Sequence, residues 1–298
     1  MKVYDCFTFY NEFELLELRL KSLYDVVDYF VLVEADKTQS NIPKPFYFEE
    51  NKNKFAEFLP KIINIKFNVD FIHKGAGDWS IENAQRNAIS KGLQNAAPDD
   101  LIFISDLDEI WSPDILQQIN NPEIKPVKNH RIPIFRQFRG KRIYIPIKLG
   151  ESAKDFLEHS PIALEQNFHY YYFEWISKDT WHGTVLTKRK NLTTPQELRN
   201  LRMKLPFLKD GGWHFSYMGG AACVIEKMKA IVEGDEFIKA DKNLIDKNHI
   251  EKSLAEGTDI YNRKGVAESQ FLPYDVENIK IPYLKEFVKK YPNFLRPR

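Results

Sequence analysis

Apolar residues in the first third of the chain fall into short blocks. Their spacing alternates between the period of a strand and that of a helix. Val3 to Phe9 is rich in β-formers and stops at the polar pair Asn11-Glu12. Phe13, Leu16, Leu20 and Leu23 then recur at steps of three and four, which predicts a helix with one buried face. Val26 to Val33 is an almost continuous apolar run, the pattern of a strand covered on both sides. Ile62 to Phe67 predicts a third strand. Ile81 to Leu93 predicts a helix introduced by Gly77-Asp78-Trp79-Ser80, and Leu101 to Ser105 a short buried strand that runs straight into Asp106. Strands alternating with helices predict an α/β fold with a mostly parallel sheet and crossover helices. Ligands in such sheets gather at the carboxyl ends of the strands, where Asn11, Glu34 and Asp106 emerge.

The rhythm breaks between about 120 and 160. From Lys125 to Lys148 there are eight Lys or Arg residues and no Asp or Glu, interleaved with apolar positions. Arg139-Gly140-Lys141 reads as the turn of a basic hairpin between two alternating strands. Such a hairpin is either solvated without a partner or a flap that meets an anionic acceptor, a lipid phosphate or a membrane surface. Beyond His169 aromatics cluster (Tyr170, Tyr171, Tyr172, Phe173, Trp175, Trp181). A strand is predicted at 211–217, a helix from Ala221 to Val232, and a C-terminal wrap with one short helix from Tyr283 to Lys290.

Composition narrows the function. The 298 residues are 43% hydrophobic and 14% aromatic, enough for a buried core. Lys and Arg total 43 against 42 Asp and Glu, a balance that argues against a general nucleic-acid binder. The two cysteines, Cys6 and Cys223, both stand among apolar neighbours and read as reduced core thiols rather than a disulfide. No basic segment leads into a long apolar stretch at the start, and no window approaches a membrane span. The expected location is therefore cytoplasmic.

The chemistry centres on Ile104-Ser105-Asp106-Leu107-Asp108-Glu109-Ile110. Two carboxylates at i and i+2 after a buried strand can reach one hard cation. Carboxylate oxygens suit Mg²⁺ or Mn²⁺, which commonly share their shell with substrate phosphates. Such an ion offsets charge building on a diphosphate leaving group. Asp-x-Asp also arises by chance in surface loops. It opens haloacid-dehalogenase-type phosphatases as well, but there on the first strand and with Gly after the second Asp. His214, between Trp213 and Phe215, is either a buried hydrogen-bonded histidine or a third metal ligand. Arg86, among Asn83, Gln85 and Asn87, suits a diphosphate. Trp175, Trp181 and Trp213 either pack the core or offer faces to sugar rings. A catalytically silent glycan-binding protein is the other rival class.

Several stretches together resemble glycosyltransferase family 17. They are Tyr4-Asp5-Cys6-Phe7-Thr8-Phe9-Tyr10-Asn11-Glu12, Val26 to Glu34, Pro43-Lys44-Pro45, Gln85-Arg86-Asn87, Ile104 to Ile110, Thr194-Pro195-Gln196-Glu197-Leu198-Arg199, and Gly212 to Tyr217. The resemblance runs over roughly residues 3–115 and 165–260. It implies a GT-A-like fold, a divalent metal, and a UDP-sugar donor, most simply UDP-N-acetylglucosamine. It also implies inversion at the anomeric centre and a glycan or lipid-linked saccharide as acceptor. Residues 1–119 become the nucleotide-sugar half of one domain, 120–160 a basic insertion, and 161–298 the acceptor side with the C-terminal wrap. Asp106, Asp108 and His214 become the metal set, and Asn11, Glu34, Asn83 and Arg86 the donor pocket. Inversion needs a carboxylate base near the acceptor hydroxyl, for which Glu236 is the expectation and Glu109 and Asp235 the alternatives. The chain departs from the family pattern at Asn41, where glycine is usual, and at Trp111, where proline is common. Any peripheral membrane contact would fall on 125–148.

Overall fold

The computed structural model describes residues 1–128, 150–263 and 270–297, together with the backbone of two strands at 135–138 and 141–144. In the first part of the chain β1 (Val3–Phe9), β2 (Tyr29–Ala35), β3 (Ile62–Phe67) and β4 (Leu101–Asp106) pair in parallel in the order β3-β2-β1-β4. Helix α1 (Phe13–Leu23) connects β1 to β2, and α2 (Tyr47–Asn51) follows β2. The helix expected at 81–93 is two pieces, α3 (Ser80–Asn87) and α4 (Ile89–Gly92), interrupted at Ala88. Helix α1 buries more than one stripe: Leu15, Leu18 and Ser22 are covered as well as Leu16, Leu20 and Leu23. Ser22 donates to the Pro282 carbonyl (2.7 Å), and Ile279, Ile281, Leu284 and Phe287 join the same core, so the C-terminal segment covers the helix's second face.

The expected mostly parallel sheet is in fact mixed. β5 (Glu109–Trp111) follows β4 after two residues, and α5 (Ile115–Asn120) follows it. β6 (Phe135–Phe138) and β7 (Lys141–Tyr144) pair antiparallel with Phe138 opposite Lys141, so Lys141, expected in the turn Arg139-Gly140-Lys141, belongs to a strand, while Arg139 and Gly140 lie outside the described residues. The basic character assigned to that segment, and any partner it meets, lies outside the described residues. After α6 (Ala153–Leu157) come β8 (Ile162–Tyr170), β9 (Tyr172–Ile176) and β10 (Trp181–Lys188). β10 lies antiparallel to both β4 and β8, and β9 antiparallel to β8. For β8 and β9 connection length accounts for this: Tyr171 alone separates them, in a left-handed conformation (φ 66°), whereas a parallel pair needs a crossover of a dozen or more residues.

Helix α7 (Pro195–Leu201) packs near α3, its N-cap Thr194 accepting from the Glu197 amide. β11 (Phe207–Leu208) and β12 (Gly212–Ser216) pair in parallel with β8, and β12 also pairs antiparallel with β5, setting His214 opposite Glu109. The helix expected at 221–232 ends at Ala230 as α8 (Ala221–Ala230), and α9 (Val232–Ala240) starts afresh. α10 (Lys247–Glu256) and α11 (Leu284–Lys290) complete the chain, with a short strand β13 (Leu272–Pro273) on β9 between them. Among the described residues no helix is long and apolar enough to cross a membrane.

One local expectation changes. Cys6 is buried but Cys223 is exposed, because the covered face of α8 is Val224 and Met228 and Cys223 points a third of a turn away. Both thiols are free. Of the three tryptophans, Trp175 and Trp213 are buried in the core, and Trp175 donates to the Leu254 carbonyl. Asn41, standing where glycine was expected, keeps a left-handed backbone (φ 68°) that asparagine tolerates. Trp111 stacks on Phe103 at 3.9 Å and donates to Asp5, so it is a core residue.

Candidate active site

The carboxyl ends of β1 and β4, the start of β10 and the middle of β12 open onto one cleft of about 630 Å³. That size suits a ligand as large as a nucleotide. Asp106 is the last residue of β4 and Asp108 lies in the two-residue turn before β5. The shape of this turn is set from behind by Arg19, which is fully buried on α1. Its guanidinium donates to the carbonyls of Asp106, Leu107 and Glu109 (3.0, 2.9 and 3.0 Å), to Ser105 Oγ and to both oxygens of Asp5.

The two aspartates meet different surroundings. Asp106 Oδ1 accepts from Arg86 and Oδ2 from Arg199, both at 2.7 Å. Arg86 also binds Glu82 and Gln196, and Arg199 also binds Glu109 at 2.6 Å. Burial on its own would raise the Asp106 carboxyl, but the two arginines outweigh it and hold the group far below the usual carboxylate range. Asp108 Oδ2 pairs with Lys227 of α8 at 2.6 Å, and His214 Nε2 stands 3.7 Å from its other oxygen. Here too burial is outweighed, by Lys227 and then His214, so Asp108 stays ionised. The His214 ring lies flat on Phe168 (4.7 Å, 7°) and close to Trp181 (4.9 Å), with Nδ1 buried and without a hydrogen-bond partner.

The residues anticipated from sequence distribute unevenly. Asn83, Arg86, Asp106, Asp108, Glu109 and His214 line the cleft, as does Trp181. Asn11 and Glu34 do not. Asn11 turns to Glu226 on α8 (2.6 Å), and Glu34 is fully buried, accepting from the amides of Phe48 and Glu49 at the start of α2 and from Asn64. Strand-end position alone does not decide which way a side chain faces, and for Glu34 the nearby helix amides are the stronger partners.

The acids considered as base are placed as follows. Glu236 is exposed on α9, outside the cleft, against Gly77, and Asp235 pairs with Lys239 at 2.6 Å. Glu109 is buried with both oxygens engaged: Oε1 by Trp181 and Arg199, Oε2 by the Asp106 amide. The acids that line the cleft beside the central set are Glu82, Glu12 and Glu233. Glu12 Oε2 accepts from the Tyr10 and Asn11 amides, and burial raises its carboxyl, reinforced by Asp108 and opposed by Lys227.

Sequence reasoning missed Glu12, Lys44, Arg199, Arg202, Lys227 and the Glu233–Arg263 pair (2.8 Å) as lining residues. Arg199 and Lys44 lay inside stretches already noted for their resemblance. Lys227 carried no signal, being one lysine on an ordinary amphipathic helix.

As a metal centre the set is incomplete on its own: among the described residues no three His, Cys, Asp or Glu side chains converge on one point. The donor chemistry nonetheless fits a hard cation whose shell is finished by a substrate's phosphates, which needs only one or two carboxylates. Asp106 is the more exposed of the two (side chain 32% against 8%) but is clamped by two buried arginines, whereas the more deeply set Asp108 is ion-paired to a single lysine on a long stem.

Comparison with known proteins matches residues 1–130 to glycosyltransferase family 17. The chain is 34% identical over 106 residues to the beta-1,4-mannosyl-glycoprotein 4-beta-N-acetylglucosaminyltransferases of Homo sapiens and Rattus norvegicus. That stretch is 34% of this chain and 20% of each relative, so the chain spans about a fifth of the length of the curated relatives it matches. The matched part holds β1 to β4, Arg19, Arg86 and the Asp106–Glu109 turn. The likeness to glycosyltransferase family 17 is thus one of residues 1–130, less than half of the chain.

Proposed function

We propose that the protein is an inverting glycosyltransferase of GT-A-like architecture. In this reading it moves N-acetylglucosamine from UDP-N-acetylglucosamine to a glycan or lipid-linked saccharide. The observation that carries it is the Asp106–Asp108 pair at the carboxyl end of a parallel strand, opening onto a cleft walled by arginine and lysine. The likeness of residues 1–130 to the family and the activity named for the relatives support the reaction class.

In this reading Asp108 holds Mn²⁺ or Mg²⁺ together with the donor diphosphate, and His214 stands beside it. The ion supplies positive charge against the departing nucleotide. Asp106, clamped by Arg86 and Arg199, fixes the floor of the site and keeps Arg199 oriented. Trp181, Phe168 and His214 offer flat faces for a sugar ring. The base that accepts the acceptor's proton comes from the acids that line the cleft, Glu12 or Glu233, in place of Glu236 and Asp235. A phosphatase reading requires Asp106 to attack phosphorus with a free oxygen, and both of its oxygens accept from arginine.

Release of UDP from a panel of UDP-sugars, with Mn²⁺ and with chelator, tests the proposal. Metal-dependent release from one donor supports it and names the sugar. Silence across the panel together with absence of UDP binding by isothermal titration would sink it.

A further inference from the structure

Seven lysine and arginine side chains line the cleft: Lys37, Lys44, Arg86, Arg199, Arg202, Lys227 and Arg263. Four are neutralised where they stand: Arg86 by Glu82 and Asp106, Arg199 by Asp106 and Glu109, Lys227 by Asp108, and Arg263 by Glu233 and Asp259. Among the described residues, Lys37, Lys44 and Arg202 have no carboxylate within ion-pair distance. The corresponding lining acid is Glu12 alone. Unpaired cations thus outnumber unpaired acids in the cleft by three to one, although its lining as a whole is near balance, with seven basic and six acidic side chains.

Arg202 is the unpaired cation nearest the central carboxylates. It caps the C-terminus of α7, one turn beyond Arg199. One of its amino groups donates to the Arg199 carbonyl (3.1 Å), and its guanidinium lies over the Trp181 ring at 5.5 Å. Its Nε is buried and has no hydrogen-bond partner. Burial, and then repulsion from Arg199, pushes its pKa down to about 10, with Glu109 and Asp106 pulling the other way. Arg86, which the sequence singled out for phosphate, already spends its amino groups on Glu82, Asp106 and Gln196.

We propose that Arg202, rather than Arg86, is the cleft's diphosphate ligand, its guanidinium taking phosphate oxygens of the nucleotide-sugar donor beside Asp106 and Trp181. The proposal rests on the reading of this cleft as a nucleotide-sugar site. A planar guanidinium with donors to spare is the group that grips phosphate in two places, and the bond to the Arg199 carbonyl and the Trp181 ring beside it hold it in position beforehand.

The test is isothermal titration of UDP, uridine and inorganic pyrophosphate into the wild-type protein, Arg202→Ala, Arg202→Met and Arg202→Lys, each in Mn²⁺. Thermal unfolding of each variant is followed alongside, and Arg202→Met keeps the apolar stem on Trp181 should Ala not fold. The expected result is a loss of roughly tenfold to a hundredfold in UDP affinity for Ala and Met. Uridine affinity stays unchanged and Lys recovers part of the loss. Folded Ala or Met variants that bind UDP like the wild type overturn the proposal and leave the donor reading standing. A wild type that binds pyrophosphate but not UDP, with binding lost in the Met variant, supports Arg202 as an anion ligand and overturns the donor reading instead. A wild type that binds neither overturns both. Uridine affinity falling in parallel with UDP shows that Arg202 shapes the cleft rather than gripping phosphate, and also overturns it.

Discussion

Asp106 and Asp108 stand two residues apart, and the difference in their partners predicts different consequences of losing them. Asp108→Ala removes the carboxylate that faces a single lysine. It is expected to abolish metal-dependent UDP binding while leaving the circular dichroism spectrum and melting cooperativity intact. Arg199→Ala leaves Asp106 and the buried Glu109 without a shared counter-charge. Removing one partner of a buried pair costs about 3–5 kcal/mol, so this variant should lose far more stability in chemical denaturation than Lys227→Met. The same asymmetry has a pH signature. Asp108 titrates lower in the folded than in the unfolded chain, so its stabilisation is complete above the unfolded carboxylate value of about 4 and is lost as pH falls below it. Wild-type stability should therefore drop between pH 5 and 2.5 more steeply than that of Asp108→Asn, measured by urea unfolding across the range. At the reaction itself, Glu12→Gln and Glu233→Gln separate the two remaining bases. The variant that lowers kcat with donor KM unchanged marks the group that takes the proton. If neither does so, the base lies elsewhere.

At the scale of elements, the site depends on β12 coming close enough to β5 to place His214 opposite Glu109. Gly212 starts β12 with φ 130°, and a Cβ there would run into the Ile110 carbonyl oxygen. Gly212→Ala is expected to destabilise the fold by roughly 1–3 kcal/mol and to open the β12–β5 edge, seen as faster amide exchange at Trp213 and His214. These elements also mark how far the sequence could be read. α1 was legible from its apolar spacing of three and four, and β1 and β3 from short blocks rich in β-formers. The carboxylate turn was legible because it ends a buried strand. The antiparallel half was not, since a run such as 162–170 can belong to either kind of sheet until its partners are known. Nor were Lys227 and Arg202 as lining residues, because their role comes from helices α7 and α8 arriving over the strand ends, which no local pattern encodes. Glu34 shows the converse, a strand-end acid drawn away from the cleft by helix amides.

At the scale of the molecule, the stretch matched to the family is not a self-sufficient unit. Leu101 to Ile104 of β4 pair with Val185 to Lys188 of β10, and β5 pairs with β12, so residues 1–130 alone would expose a long apolar strand edge. A fragment covering 1–130 is expected to aggregate or stay unfolded, by size-exclusion chromatography and circular dichroism. A monodisperse folded fragment would show that the later strands are dispensable. The tie runs the other way as well: Glu17 on α1 accepts from Tyr283, Lys290 and Tyr291, joining the last helix to the first.

Arg19 carries a consequence for anyone reading variation in this chain. It is out of sight of the cleft, yet it holds three carbonyls, those of Asp106, Leu107 and Glu109, of the turn that presents both aspartates. A lysine there keeps the charge but offers three donors in place of five, and lacks the planar fork that spans Asp5, Ser105 and the turn. Substitution tables would score that exchange as harmless. In a library screened for inactive clones, position 19 should instead sit among the most intolerant, and its lesions should be silent to any docking of ligands into the wild-type shape. Where a single buried donor sculpts the backbone of a site, the genetic map of that site is larger than its surface.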